Sequence, residues 1–483
     1  MYLRATLIAL ISLVAAATSA ANKSIEPTQP KDPFYKPDEG WERKHPGQIL
    51  KWRKFKAKDS FTKLPLAESY ELLYRTTENA QDDPQYAVTT VLVPKNARKD
   101  VVAVLSQATD ANNYKCTASY LYESNGMAFE NRLFLPFLYE GYISTVPNNE
   151  GPKQAFGAGR LEGHMTLDSL RATLNFAEKL NINQDAKLIG YGYSGGALAM
   201  SWASSLHHSY APELNVLGWA YGGTPTNLSG TLEHAMGTLF SGFVVSGLTG
   251  VSDAYPYVQK YTNQTMTSDG LQAMHYAREN CVNDVLEKYP FTNLDSPKYA
   301  KNGKQFFFEA APQKVFKELT LGTNHLKKPT APVFMYHAEH DEVIPFGDAQ
   351  KTADAWCKFG STIKFMKYSD FAMQHITTEY TGALSAFNWL KDRIDGKYLP
   401  KGCQFSSAAN PFVDAQPSKK FEEILDYFVE EVGLGDIIYK AKLLKKIGKP
   451  TNTRIDLERE KAREVLKRVG TKRTHLVLSL IHI

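Results

Sequence analysis

The chain has four cysteines in 483 residues, and none of them falls at the close spacing that a structural zinc site needs. It also lacks an excess of charge of one sign. Its 56 Lys and Arg against 51 Asp and Glu leave a net charge of +5, which argues against a dedicated nucleic-acid binder and leaves only a mild pull toward anionic surfaces. After the first twenty residues there is no apolar run of the roughly 20 residues that a membrane helix needs. Residues 235–251 carry no charge but are heavy in Gly, Ser and Thr. These absences leave a globular protein, and 43% hydrophobic residues are enough to build a real core.

The first twenty residues read differently from the rest. One positive side chain, Arg4, precedes an apolar run over residues 5–17 and the small residues Thr18, Ser19 and Ala20, which is the pattern of a secretory signal peptide spanning 1–20. Export places Cys116, Cys281, Cys357 and Cys403 in an oxidising compartment, where they are expected to form two disulfides among three possible pairings. Asn22, Asn227 and Asn263 begin N-glycosylation sequons, and Asn227 and Asn263 are the candidate acceptors.

Residues 186–206, AKLIGYGYSGGALAMSWASSL, organise the rest. A buried-strand run ending in Leu188 and Ile189 leads through Gly192-Tyr193-Ser194-Gly195-Gly196 into a stretch without Gly or Pro that reads as a helix. This is the G-x-S-x-G nucleophile elbow, in which a serine on a sharp strand-to-helix turn needs small residues two before and two after it. The N–H of Gly195, at the start of the helix, would face the oxygen of an attacked carbonyl.

The lead-in over residues 22–50 is polar and without period. Strands are expected over residues 69–77, 86–94, 101–105 and 142–146, the first two as a hairpin, then a helix over 167–180, the elbow strand and helix, and a strand over 216–221. Strands resume at 332–337 and 362–368, and a helix closes the pattern over 381–394. The alternation predicts an α/β fold, a mostly parallel sheet with helices on both faces. Residues 21–225 and 316–415 form this core. Residues 226–315 read as a helical insertion capping the carboxyl edge of the sheet. Residues 416–483 form a basic, helical C-terminal extension of no assigned role.

A serine hydroxyl needs a base, and the base needs an acid to orient it. The chain order Ser, acid, His on loops after successive strands selects Asp341, in His337-Ala338-Glu339-His340-Asp341-Glu342, and His375, in Met373-Gln374-His375-Ile376-Thr377. Asp370 is a rival acid, while Glu339 and Glu342 read as solvated surface carboxylates. The second oxyanion donor belongs on the loop after the strand at 101–105, where Ser106-Gln107-Ala108-Thr109-Asp110 stands. On these mechanics alone Asp110 is equally a turn or cap residue.

With these residues in place, the chain resembles the secretory lipases of yeasts and fungi, the lipase-A type of α/β-hydrolase. The resemblance covers residues 32–411 and rests on Asp32-Pro33-Phe34-Tyr35, the elbow, Ser209-Tyr210-Ala211-Pro212-Glu213-Leu214, Gly222-Gly223-Thr224-Pro225, Asp341-Glu342-Val343-Ile344-Pro345 and His375-Ile376-Thr377-Thr378-Glu379. It implies a triad of Ser194, Asp341 and His375, an oxyanion hole of Asp110 and Gly195, and disulfides Cys116–Cys281 and Cys357–Cys403. It further implies a cap that lines an acyl-chain tunnel and meets lipid. Two features depart from the family: Asn148 and Asn149 precede Glu150-Gly151 where an acidic residue is usual, and the tail after 416 is unlike the family's flap.

The expected protein is a secreted, monomeric hydrolase of lipid esters, with an oil–water or membrane interface as its partner. It needs no metal or cofactor, no transmembrane anchor and no nucleic acid. A short-chain esterase or acetylesterase on a soluble metabolite is the alternative within the enzyme class, and an inactive secreted binding protein is the alternative outside it.

Overall fold

The computed structural model describes residues 32–411, apart from residues 59–62, 79–82, 125, 127–129 and 372. The signal-peptide reading over 1–20 and the basic extension over 416–483 lie outside the described residues.

The strands are β1 (Ile49–Phe55), β2 (Leu66–Thr77), β3 (Pro84–Pro94), β4 (Val101–Ser106), β5 (Ile143–Pro147), β6 (Lys187–Tyr193), β7 (Val216–Gly222), β8 (Val333–Ala338), β9 (Ile363–Tyr368) and β10 (Gln404–Ala408). They form one sheet in the order β1-β2-β3-β5-β4-β6-β7-β8-β9-β10. The pairings from β1 to β5 are antiparallel, and those from β5 through β4 to β10 are parallel. β4, β5 and β8 are buried at every residue, as expected for strands covered on both faces.

Side-chain alternation shows the two faces. Val102, Val104, Leu188 and Met335 pack with Leu161 and Met165 of the helix Gly159–Asn175 and with Met200 and Trp202 of the helix Gly195–Tyr210. On the opposite parity, Tyr191 meets Phe134 and Phe137 of the helix Glu130–Tyr139. Phe334 stacks on Trp389 of the helix His375–Ile394. The fold is α/β, with helices on both sides of a mostly parallel sheet.

Between β7 and β8 the chain leaves the sheet for a run of helices from Leu228–Ala235 to Ala310–Glu318. This segment has an apolar cluster of its own, which includes Val245, Met274, Val285 and Phe306. Cys116 is bonded to Cys281 and Cys357 to Cys403. The first bridge ties the loop after β4 to the helical segment, and the second ties the helix Phe346–Lys358 to the approach to β10. Among the described residues no helix is long and apolar enough to cross a membrane.

Three local readings change. The lead-in passes into β1, whose sequence Ile-Leu-Lys-Trp-Arg-Lys-Phe alternates but is loaded with charge, as edge strands commonly are. The helix expected over 167–180 runs instead from Gly159 to Asn175, breaks at Phe176, and is followed by the short helix Ala177–Leu180. The last helix starts at His375 rather than near 381, so the histidine is the first residue of a helix and not a loop residue.

Candidate active site

The carboxyl ends of the parallel strands share one edge, since Ser106 pairs with Gly192, Tyr193 with Gly222, Gly222 with Tyr336 and Ala338 with Tyr368. Asp110, Ser194, Asp341 and His375 follow β4, β6, β8 and β9 respectively, and this common edge brings them together.

Ser194 stands between β6 and its helix at φ 53° and ψ −121°, a conformation that costs energy in any residue with a Cβ. The flanking glycines have no alternative. A Cβ on Gly192 would lie 2.4 Å from Gly196 O, and one on Gly196 would lie 2.2 Å from Ser106 O. The strained turn leaves the Ser194 hydroxyl 2.8 Å from His375 Nε2. His375 Nδ1 in turn lies 2.8 Å from Asp341 Oδ2. Because the ionised carboxylate only accepts, Nδ1 carries the proton of the neutral imidazole, and in that form Nε2 is left to accept from the serine.

The residues around Asp341 and His375 hold this geometry. Asp341 Oδ1 accepts the N–H groups of Val343 at 2.9 Å and Ile344 at 2.7 Å. The Tyr193 hydroxyl donates to the His375 carbonyl at 2.8 Å, and Glu342 accepts the His375 N–H at 2.7 Å. Glu342 is therefore not the solvated carboxylate expected from its polar loop: it closes the first turn of the histidine's helix, where a negative group is favoured. Glu339 does pair at the surface, with Lys367 at 2.8 Å. The acid that meets His375 Nδ1 is Asp341.

Charge in this corner is divided. Burial pushes the Asp341 carboxyl up, but His375 and the bonds from His337 and His375 more than offset it and hold the group well below the usual carboxylate range. Burial pushes His375 down, and Asp341, Glu342 and Glu379 bring it up to about 9. Asp110 lies across the site at φ 49°, 6% exposed, with Oδ1 buried and unpartnered. Burial raises it to about 7, against a smaller lowering by His375. Its carboxyl crowds the first residue of the elbow helix so closely that a Cβ on Gly195 would lie 1.8 Å from Asp110 Oδ1.

Other carboxyls that sequence reasoning missed surround Asp110. Glu150 and Glu162 are buried and raised well above the ordinary range, first by burial. Glu150 also interacts with the backbone N–H groups of Asp110 and Ala111. Glu379, one turn after His375, is raised to about 7 by burial and by Asp110, with His375 opposing. The asparagines that depart from the family pattern are hydrogen-bonded: Asn148 donates to Ser119 at 2.8 Å, and Asn149 bonds to Ser106 and accepts from Thr166 at 3.0 Å.

Ser194, Gly195 and Asp110 line a predominantly apolar cleft. Leu228, Leu232, Phe243, Leu248, Phe306 and Phe316, all from the helical segment, line the rest of it with apolar surface. Gly247 also lines it, and a Cβ there would have nothing within 4 Å. Of the two sequon asparagines, Asn263 is exposed, while Asn227 is partly buried, donating to Asp348 at 3.0 Å and accepting from Ser229.

The secretory lipase family model matches residues 122–402, more than half of the chain. The chain belongs to the secretory lipase family. Secreted triacylglycerol lipase LIP1 of Malassezia furfur is 45% identical to this family member over 421 residues, 85% of this chain and 86% of that one. Secreted triacylglycerol lipase LIP3 of Malassezia restricta is 40% identical over 91% of this chain and 96% of its own. The fold superposes on Candida antarctica lipase A in its closed state with a TM-score of 0.74 at 29% identity, covering 85% of this chain and 96% of that one. The rice cell wall degrading esterase LipA of Xanthomonas oryzae shares the fold alone, at 15% identity and a TM-score of 0.59.

Proposed function

We propose that this secretory lipase-family chain is a secreted hydrolase of triacylglycerols and related lipid esters, acting through an acyl-enzyme intermediate. The observation that carries the reading is the relay Ser194 Oγ to His375 Nε2 and His375 Nδ1 to Asp341, each at 2.8 Å, with Ser194 in the lining of an apolar cleft. The printed names of the Malassezia relatives support both the substrate class and secretion.

In the first half-reaction the Ser194 oxygen attacks the acyl carbonyl while His375 Nε2 takes its proton, and the carbonyl oxygen becomes an oxyanion. The Gly195 N–H, which has no partner inside its own helix, and the Asp110 carboxyl, protonated below about pH 7, are the donors for that charge. The imidazolium then gives its proton to the departing alcohol. Water repeats the sequence, with His375 as its base, and releases the fatty acid. The helical segment acts as a cap, and its apolar wall holds the acyl chain.

The deciding experiment compares an emulsified long-chain triacylglycerol with a soluble short-chain ester, using the mature protein and its Ser194→Ala variant. Hydrolysis of both, lost in the variant, is the expected result. Activity on the short ester alone would replace the lipase reading with an esterase. No Ser194-dependent activity on either would favour a binding role for the fold.

A further inference from the structure

Asp341 is flanked by two histidines, and only one of them belongs to the relay. His337, at the end of β8 and 1% exposed, places Nε2 3.1 Å from the Ile344 carbonyl and 3.2 Å from Asp341 Oδ2. A carbonyl oxygen can only accept, so Nε2 carries a proton. That N–H bonds to the Ile344 carbonyl and stands within 3.2 Å of the same Asp341 oxygen that holds His375.

The carboxylate is therefore crowded by donors: two backbone N–H groups bond to Oδ1, His375 Nδ1 bonds to Oδ2, and His337 Nε2 lies 3.2 Å from the same Oδ2. Each oxygen of a carboxylate has two lone-pair directions; Oδ1 has two donors, and Oδ2 has His375 Nδ1 with His337 Nε2 close beside it. With 5% of the residue exposed, no solvent is needed to complete them. His337 and the Ile344 carbonyl also span the acid turn end to end, which fixes the carboxylate's rotation.

We infer that His337 is a positioning residue of the hydrolytic site, whose Nε2–H competes with His375 for Asp341 Oδ2 and so limits how strongly the acid holds the catalytic imidazole's proton. The inference rests on the proposed relay. A carboxylate deprived of one donor is a stronger acceptor for its remaining one, so His375 would become harder to deprotonate and would be present in the neutral form that can take the Ser194 proton over a narrower range of pH. The other titratable groups facing His375 are Glu342 from the acid loop, Glu379 from its own helix and Asp110 from the loop after β4. The Tyr193 ring packs at 5.1 Å. None of these supplies a second side-chain donor to Oδ2.

The test is an NMR titration of the His375 imidazole in the full protein, its signal assigned by loss in His375→Asn. His337→Met and His337→Leu remove the donor and keep apolar bulk, and His337→Gln keeps an N–H. The expected result is an upward shift of the His375 midpoint by about half a unit or more in either donor-less variant. It would be accompanied by about a threefold fall in kcat at pH below the midpoint, the fold-change that half a unit gives, with KM unchanged, and both effects would be reversed toward wild type in His337→Gln. An unmoved midpoint in a folded donor-less variant overturns the inference, as does a shift that His337→Gln reproduces. The titration reads no catalysis, so its outcome is separate from the Ser194→Ala comparison that judges the relay itself.

Discussion

Asp341 and Asp110 are two buried carboxyls on the same rim of the same sheet, and the structure drives them in opposite directions. Asp341 accepts three N–H groups, has His337 Nε2 3.2 Å away, and is held ionised well below the usual range. Asp110, almost equally buried, has an unpartnered oxygen and carboxyl neighbours, and is raised to about 7. Burial is the first cause at both residues, and at Asp341 the adjacent His375 charge, with the bonds from His337 and His375, reverses it. On the proposed relay, one acid carries charge beside the base and the other keeps a proton where charge develops.

The largest effect that would break this contrast is Asp341→Asn. An amide cannot serve as the charged partner of an imidazolium and invites the wrong tautomer of His375, so kcat should fall by about 10⁴. Asp110→Ala should cost less, about 10² to 10³, because one oxyanion donor of two is lost and the nucleophile and base remain. Steady-state kinetics on a soluble ester, normalised to phosphonate-titratable sites, separates the two. Equal losses would mean that Asp110 does more than donate to the oxyanion.

The two acids should also part in their pH dependence. Asp341, with a depressed folded value, contributes stability that is present above the ordinary carboxylate range and is lost only as pH falls through that low value. Asp110 has the reverse sign. Its folded value near 7 lies above the ordinary 3.8, so stability is greatest below that ordinary value and declines as pH rises toward 7, by an amount on the order of 4 kcal/mol. Asp110→Asn removes this decline, and melting curves from pH 4 to 8 should be flatter in the variant than in the wild type. The same variant keeps an N–H donor that does not titrate, so its kcat/KM should rise with pH and level off without an alkaline fall.

The elbow was legible in the sequence because its physics is local: Gly192 and Gly196 are forced by contacts within and beside the pentapeptide. Asp341 and His375 were legible through chain order, since parallel strands deliver successive loops to one edge. What surrounds them was not. The helix at His375 is opened by a capping box of Gln374 and Thr377, with Gln374 N–H donating to Thr377 Oγ1 at 2.8 Å. Gln and Thr in these positions give little sign of a helix start, so Glu379 was not placed one turn beyond the histidine. β1 was hidden by the charges that suit an edge strand. Glu342 and His337 gain their roles from a turn that folds back on itself, which no periodicity announces.

The smallest expected effect tests whether the acid side works through charge as well as position. Glu342 accepts the His375 N–H, and its charge is one of the influences that raise the imidazole. Glu342→Gln keeps an acceptor oxygen at the head of the helix but removes the charge, so the helix should stay capped, with a stability change below about 1 kcal/mol. The His375 midpoint, read by the same NMR titration, should fall by a few tenths of a unit. Loss of His337 is expected to move it the other way, because a donor on Asp341 and a carboxylate beside His375 act with opposite sign on the same proton. If both substitutions moved the midpoint in one direction, the base would be governed by the general loosening of the acid turn rather than by these two contacts.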